Sequence, residues 1–253
     1  LNIRRERYSM LLNSLEKEGN FFFKNRSWIP LIFFIFIIPF LILQPNKNYN
    51  FNNSIWVIFC FSVSLIGLVI RILVVGYVPR DTSGRNTQAQ VAECINQTGL
   101  YSITRHPLYI GNFLMWIGII MYAGNFSFAI LTIAFYVIYY ERIMFVEEMF
   151  LQRKFGEQYI NYAISTPILP YKFKNYRRPN LSFSFKKVIK YEYLGFTSMI
   201  LSFVFVNILL NYFELKILKL DDAFLIILIA SVFIFCIIRL LVKKTNIFQI
   251  EER

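Results

Sequence analysis

One histidine stands in the 253 residues, and its surroundings suit chemistry. His106 lies between Arg105 and Pro107, with Tyr101 and Tyr109 on either side, where a polar loop meets an apolar run. A second polar cluster, Glu141-Arg142 and Glu147-Glu148, closes a later apolar run. A carboxylate pair beside a membrane is costly unless cations or hydrogen-bond donors pair with it. Together the clusters offer both charge signs, so they suit a ligand that carries both. An anionic nucleophile would need only cationic orientation, which Arg105, Arg142 or Arg85 could supply. An amine must first lose a proton, and Glu148 or His106 could take it.

The elements that position these groups read as membrane helices. The chain is 57% hydrophobic and 19% aromatic, with a mean hydropathy of +0.49, more apolar surface than a soluble domain needs. Six apolar runs succeed one another: Trp28 to Leu43, Ile55 to Val75, Leu108 to Ala123, Phe126 to Val146, Tyr193 to Phe213 and Phe224 to Val242. The fold class is therefore all-α, a polytopic membrane protein of about six transmembrane helices. Pro30 and Pro39 predict a kink in the first run. That run lacks a small-residue cleavage site, so it reads as a membrane helix and not a signal peptide. Arg71, near the end of the second run, can snorkel to the interface. The third run is short, about 24 Å of helix against about 30 Å of hydrocarbon. Gly124-Asn125 turns it into the fourth, so the two form a helical hairpin. Phe150, Leu151, Phe155, Tyr159 and Tyr162 recur at helical spacing and predict that the fourth helix continues from Glu147 to Tyr162, ending at Thr166-Pro167. Gln88 to Cys94 can form a short helix.

Four regions result: a basic interfacial segment, 1–27; two membrane helices, 28–75; a core holding both polar clusters, 76–171; and a basic linker with two accessory helices, 172–253. Basic residues orient them. Six Lys and Arg precede the first run, three fall between 76 and 107, ten between 141 and 192, and three after 242. The alternate segments hold only Lys47, Lys216 and Lys219. This asymmetry predicts both termini in the cytoplasm, with His106, the Thr82-Ser83-Gly84-Arg85 loop and Glu147-Glu148 on one cytoplasmic face. The net charge of +12 is thus assigned to anionic lipid and the bilayer. Nucleic acid is not expected, because the basic residues flank apolar runs and form no reading motif. Cys60, Cys94 and Cys236 form no CxxC, so neither a metal site nor a disulfide framework is expected.

S-adenosylmethionine is a ligand of both charge signs: ammonium, sulfonium and carboxylate. In order, Gly99-Leu100-Tyr101, Arg105-His106-Pro107-Leu108-Tyr109-Ile110-Gly111, Glu147-Glu148 and Phe155-Gly156-Glu157-Gln158-Tyr159 resemble the integral-membrane methyltransferases. That group includes the isoprenylcysteine carboxyl methyltransferases and the phospholipid methyltransferases. The resemblance covers about residues 76–171, including the hairpin between the motifs. It implies an S-adenosylmethionine-dependent methyltransferase of lipid or lipid-linked acceptors. It assigns cofactor contacts to Tyr101, His106, Pro107, Leu108, Tyr109 and Glu147, and loosely to the turn Glu93 to Asn96. Arg142 best matches the family's acceptor-site arginine, one position out of register. Arg105, Arg142 and Glu148 are the candidate catalytic residues.

A soluble-type methyltransferase is excluded, since the ten glycines form no GxGxxG after a strand. A membrane NADPH-dependent reductase of related architecture is the alternative enzyme, though its phosphate asks for more cations. A transporter or scaffold is the non-enzymatic alternative, though the runs show no mid-membrane acid and no repeat. The composition, rich in Asn, Ile, Lys and Phe, points to an AT-rich bacterial genome and an inner-membrane location. A lipid headgroup or lipid-linked phosphate then suits the acceptor better than a prenylated protein.

Overall fold

The computed structural model describes residues 2–43, 53–79, 82, 90–171 and 173–248. Every regular element among them is helical: α1 (Asn2–Asn25), α2 (Ile29–Ile35), α3 (Ile37–Leu43), α4 (Ser54–Tyr77), α5 (Pro107–Ala123), α6 (Phe126–Phe155), α7 (Glu157–Ser165), α8 (Phe185–Leu215) and α9 (Asp222–Lys244), with 3-10 turns at Leu100–Ser102 and Phe173–Asn175. Helices α4, α6, α8 and α9 are long and apolar enough to cross a membrane, and α5, at 17 residues, is shorter. The protein is an all-α polytopic membrane protein. Of the polar loop that begins at Thr82, residues Ser83, Gly84 and Arg85 lie outside the described residues.

Sequence chemistry accounts for the boundaries. The first apolar run is two seven-residue helices, broken at Phe36. Pro39 lacks an N–H, and its ring would clash with the carbonyl of Ile35. Asn53 caps α4 by accepting from the amides of Ile55 and Trp56. Gly124, at φ 66, and Asn125, which accepts from the amide of Phe128 at 2.9 Å, turn α5 into α6. Two expectations need correction. Helix α6 does not run on to Tyr162: Gly156, at φ 56, ends it and starts α7. Residues Gln90 to Cys94 are not helical. The basic linker is also shorter than expected, because Ser184 caps α8 well before Tyr193.

The chain divides into two compact units. One holds residues 1–35, 81–106 and 131–177. In it α1 lies against the far half of α6, antiparallel to it. Glu16 takes both guanidinium nitrogens of Arg153 at 2.6 and 2.7 Å, Gly19 packs on the Arg142 carbonyl, and Phe22 meets Tyr139.

The other unit holds residues 36–80, 107–130 and 178–253. Its core is the crossing of α4 and α5, where a Cβ on Gly111 would come within 2.7 Å of the Gly67 carbonyl. Small residues let the two backbones approach, and Ser64 donates to the Met115 carbonyl at 2.8 Å. Arg71 grips Glu192 of α8 through two nitrogens at 2.8 and 2.9 Å and donates to Asn112 of α5 at 2.6 Å. Asn207 and Asn211 close the α8–α9 hairpin on Asp221, and Asn207 also donates to Tyr122 at 2.8 Å. Only 6% of the apolar stretch of α9 is buried, as suits a helix facing lipid.

Candidate active site

The polar cluster forms where α6 has run out of hydrocarbon. Residues 126–146 make about 31 Å of helix, enough to cross the apolar core, and Glu147-Glu148 come next. Helix α7 turns back beside the end of α6, and the segment 99–106 is fastened to α7 and to the chain beyond its C-terminus. The amide of Arg105 donates to the Pro167 carbonyl at 3.0 Å, the Tyr162 hydroxyl to the Tyr101 carbonyl at 2.8 Å, and the Thr104 hydroxyl to the Ile168 carbonyl. Arg177 completes the fastening: the Gly99 amide donates to its carbonyl at 2.8 Å, and its own amide to the Ser102 hydroxyl at 2.9 Å.

These restraints bring four of the candidate residues together. His106 is 7% exposed. Its Nε2 lies 2.9 Å from Glu148 Oε1, and its Nδ1 lies 3.8 Å from Glu147 Oε2. With Nε2 as donor, Glu148 holds the imidazole in one tautomer and one orientation. Arg105 Nε approaches the same Glu148 oxygen at 3.1 Å, and its Nη1 donates to the Ala163 carbonyl at 3.0 Å. One guanidinium and one imidazole thus face two carboxylates. Beside them Arg105, Phe145, Glu148, Met149, Gln152, Tyr159, Ile160, Ala163 and Ile164 line a pocket of about 300 Å³. That volume is at the lower end of the range for small-molecule sites.

Tyr159 and Tyr162 are the residues that sequence reasoning passed over. Their helical spacing read only as a continued helix, yet Tyr159 lines the pocket and the Tyr162 hydroxyl fastens Tyr101. The Tyr159 hydroxyl is buried without a hydrogen bond of good geometry. Burial, and then the charge of Glu148, raise its pKa above the ordinary tyrosine value. Burial and the neighbouring Tyr101 do the same to Tyr162. A buried polar atom left in this state invites a ligand or a water.

The remaining candidates are placed as follows. Tyr101 is in the 3-10 turn and supplies its carbonyl to Tyr162. Pro107, Leu108 and Tyr109 form the first turn of α5, where proline is favoured because its missing N–H has no helical partner. Arg142 is not in the cluster. Its Nε meets Glu18 of α1 at 3.2 Å and its Nη1 meets Glu141 at 3.1 Å. It lies five and six positions before Glu147 and Glu148, which turns it to another side of α6.

No curated protein and no solved structure matches the chain. Residues 66–158 do match the model of a family described as phospholipid methyltransferase, and this stretch contains both polar motifs and the helices between them.

Proposed function

We propose that the protein is an S-adenosylmethionine-dependent methyltransferase that works on a lipid or lipid-linked acceptor at the cytoplasmic face of a bacterial inner membrane. One observation carries the reading. The motif residues Arg105, His106, Glu147 and Glu148 converge, partly buried, beside a pocket, inside the stretch that matches the family. The residues present suit the cofactor. The donor set has both charge signs, which fits a ligand with two cationic centres and one carboxylate. The buried Tyr159 hydroxyl supplies a further polar group without a well-formed bond.

His106 and Glu147, with Tyr101 and the Pro107-Leu108-Tyr109 turn, are the residues that would hold the cofactor. When bound, S-adenosylmethionine supplies a methyl group made electrophilic by its sulfonium. The protein's part is to hold the partners in line and to exclude water, which is where most of the acceleration of such a reaction arises. Glu148 orients His106 and is in turn held by Arg105, so the binding face keeps one geometry. For a phosphate or carboxylate acceptor, Arg105, which lines the pocket, supplies cationic orientation, and Arg142, on another side of α6, would act only on a part of the acceptor that reaches that side. For an amine acceptor, Glu148 is the group placed to take the proton.

Incubating the purified protein with methyl-labelled S-adenosylmethionine and bacterial lipid extract tests the reading. Label should appear in a lipid-soluble product, and mass spectrometry of that product identifies O- or N-methylation. Label confined to water-soluble material or to protein would refute a lipid acceptor.

A further inference from the structure

The segment C-terminal to α7 does more than fasten the motif. Its backbone is committed inward: the carbonyls of Pro167, Ile168 and Arg177 and the amide of Arg177 all bond to residues 99–105. Its side chains are left outside. Tyr171, Phe173 and Tyr176 are 68%, 65% and 53% exposed, and Lys174, Arg177 and Arg178 are exposed as well. Three exposed aromatic rings among three cations are a poor surface to leave in water. The sequence around the cations is basic only, with no Asp or Glu from Gln158 to Tyr191.

The membrane is close to this segment. Six residues separate Arg178 from Phe185, the first residue of α8, which is long and apolar enough to cross a bilayer. Extended, they reach about 20 Å, so the segment lies within reach of the interfacial region. Aromatic rings favour the headgroup level, and Lys and Arg favour a leaflet that contains anionic lipid.

We infer that residues 173–178 form a docking strap for anionic phospholipid headgroups, with Phe173 and Tyr176 seated at the headgroup level and Lys174, Arg177 and Arg178 on the phosphates. The strap lies outside the stretch that matches the methyltransferase family. The inference concerns lipid binding, and its test does not depend on methyl transfer.

The experiment places the photo-crosslinking residue p-benzoylphenylalanine at position 173 of the full chain. The protein is held in nanodiscs of mixed phosphatidylglycerol and phosphatidylcholine. The strap predicts adducts enriched in phosphatidylglycerol over its mole fraction. The preference should fall by roughly fivefold for each cation lost, hence steeply in Lys174→Gln/Arg177→Gln/Arg178→Gln, and should fall with added salt. The charge-preserving variant Arg177→Lys/Arg178→Lys should keep it, and its thermal unfolding provides the folding control. Equal adducts with both lipids, a preference untouched by the triple Gln variant, or adducts mainly with a co-purifying protein would each overturn the inference.

Discussion

Two arginines, each beside a glutamate, are handled in opposite ways. Arg71 is saturated: Glu192 takes it through two nitrogens and Asn112 takes a third donation, with the Glu192 side chain only 4% exposed. Arg105 makes a single approach to Glu148, shares that oxygen with His106, and borders a pocket with the buried Tyr159 hydroxyl nearby. A closed cluster of this kind can only hold helices, here α4, α5 and α8. An open one, in which one guanidinium and one imidazole share two carboxylates beside a pocket, is stable enough to form and can take a ligand. The comparison separates buried charge used for architecture from buried charge held ready for chemistry, and it is open to mutation from both sides.

The largest effect should come from the closed cluster. Glu192→Ala or Arg71→Ala leaves an uncompensated buried charge, and each should lower stability by about 3–5 kcal/mol, read as thermal or denaturant unfolding in detergent. Replacing both together with apolar residues of similar size should cost much less than either single change. A single variant as stable as the parent would mean that the pair is not what holds the helices.

In the open cluster the effects should fall on binding. His106→Ala and Glu147→Ala each remove a charge-assisted contact, so each should weaken cofactor binding by about 1.5–3 kcal/mol while unfolding shifts by less. Unfolding losses equal to those of Glu192→Ala would place this cluster with the architectural one. Arg142 should behave in a third manner. Its partners are exposed, Glu18 at 56% and Glu141 at 62%, so Arg142→Gln should change stability by under about 1 kcal/mol. It should leave cofactor binding intact and, if the residue orients the acceptor, raise the acceptor KM.

The smallest effect concerns Tyr159. Its native pKa is raised by burial and by Glu148, so above the ordinary value of 10.0 the folded state keeps a proton that the unfolded state loses. Stability should therefore fall as pH rises from 10 toward the native value, and Tyr159→Phe should flatten that part of the unfolding profile. An identical alkaline profile in the variant would count against this account.

Much of the open cluster was legible in the sequence because it depends on local order: an Arg-His-Pro at a helix start and a Glu-Glu just after an apolar run, joined by a turn at Gly124-Asn125. The apolar runs were legible for the same reason. The closed cluster was not. Arg71 and Glu192 are 121 positions apart, and Glu192 sits where the charge pattern read as a linker. Hydropathy marks where a helix is greasy, and the Ser184 cap starts α8 before the grease begins. The break at Gly156 was hidden because apolar spacing continues across it, while a positive φ is a backbone property that spacing does not encode. The pairing of α1 with α6 through Glu16 and Glu18 was invisible because a basic amphipathic stretch reads the same on lipid as on protein.

The most direct test of the central claim is calorimetric titration of the purified protein in detergent with S-adenosylmethionine. The account predicts saturable binding that is strongly weakened in His106→Ala and Glu147→Ala and unchanged in Arg153→Gln, whose parent residue pairs with Glu16 outside the cluster. No binding to the wild-type protein, or equal binding by all four proteins, would contradict it.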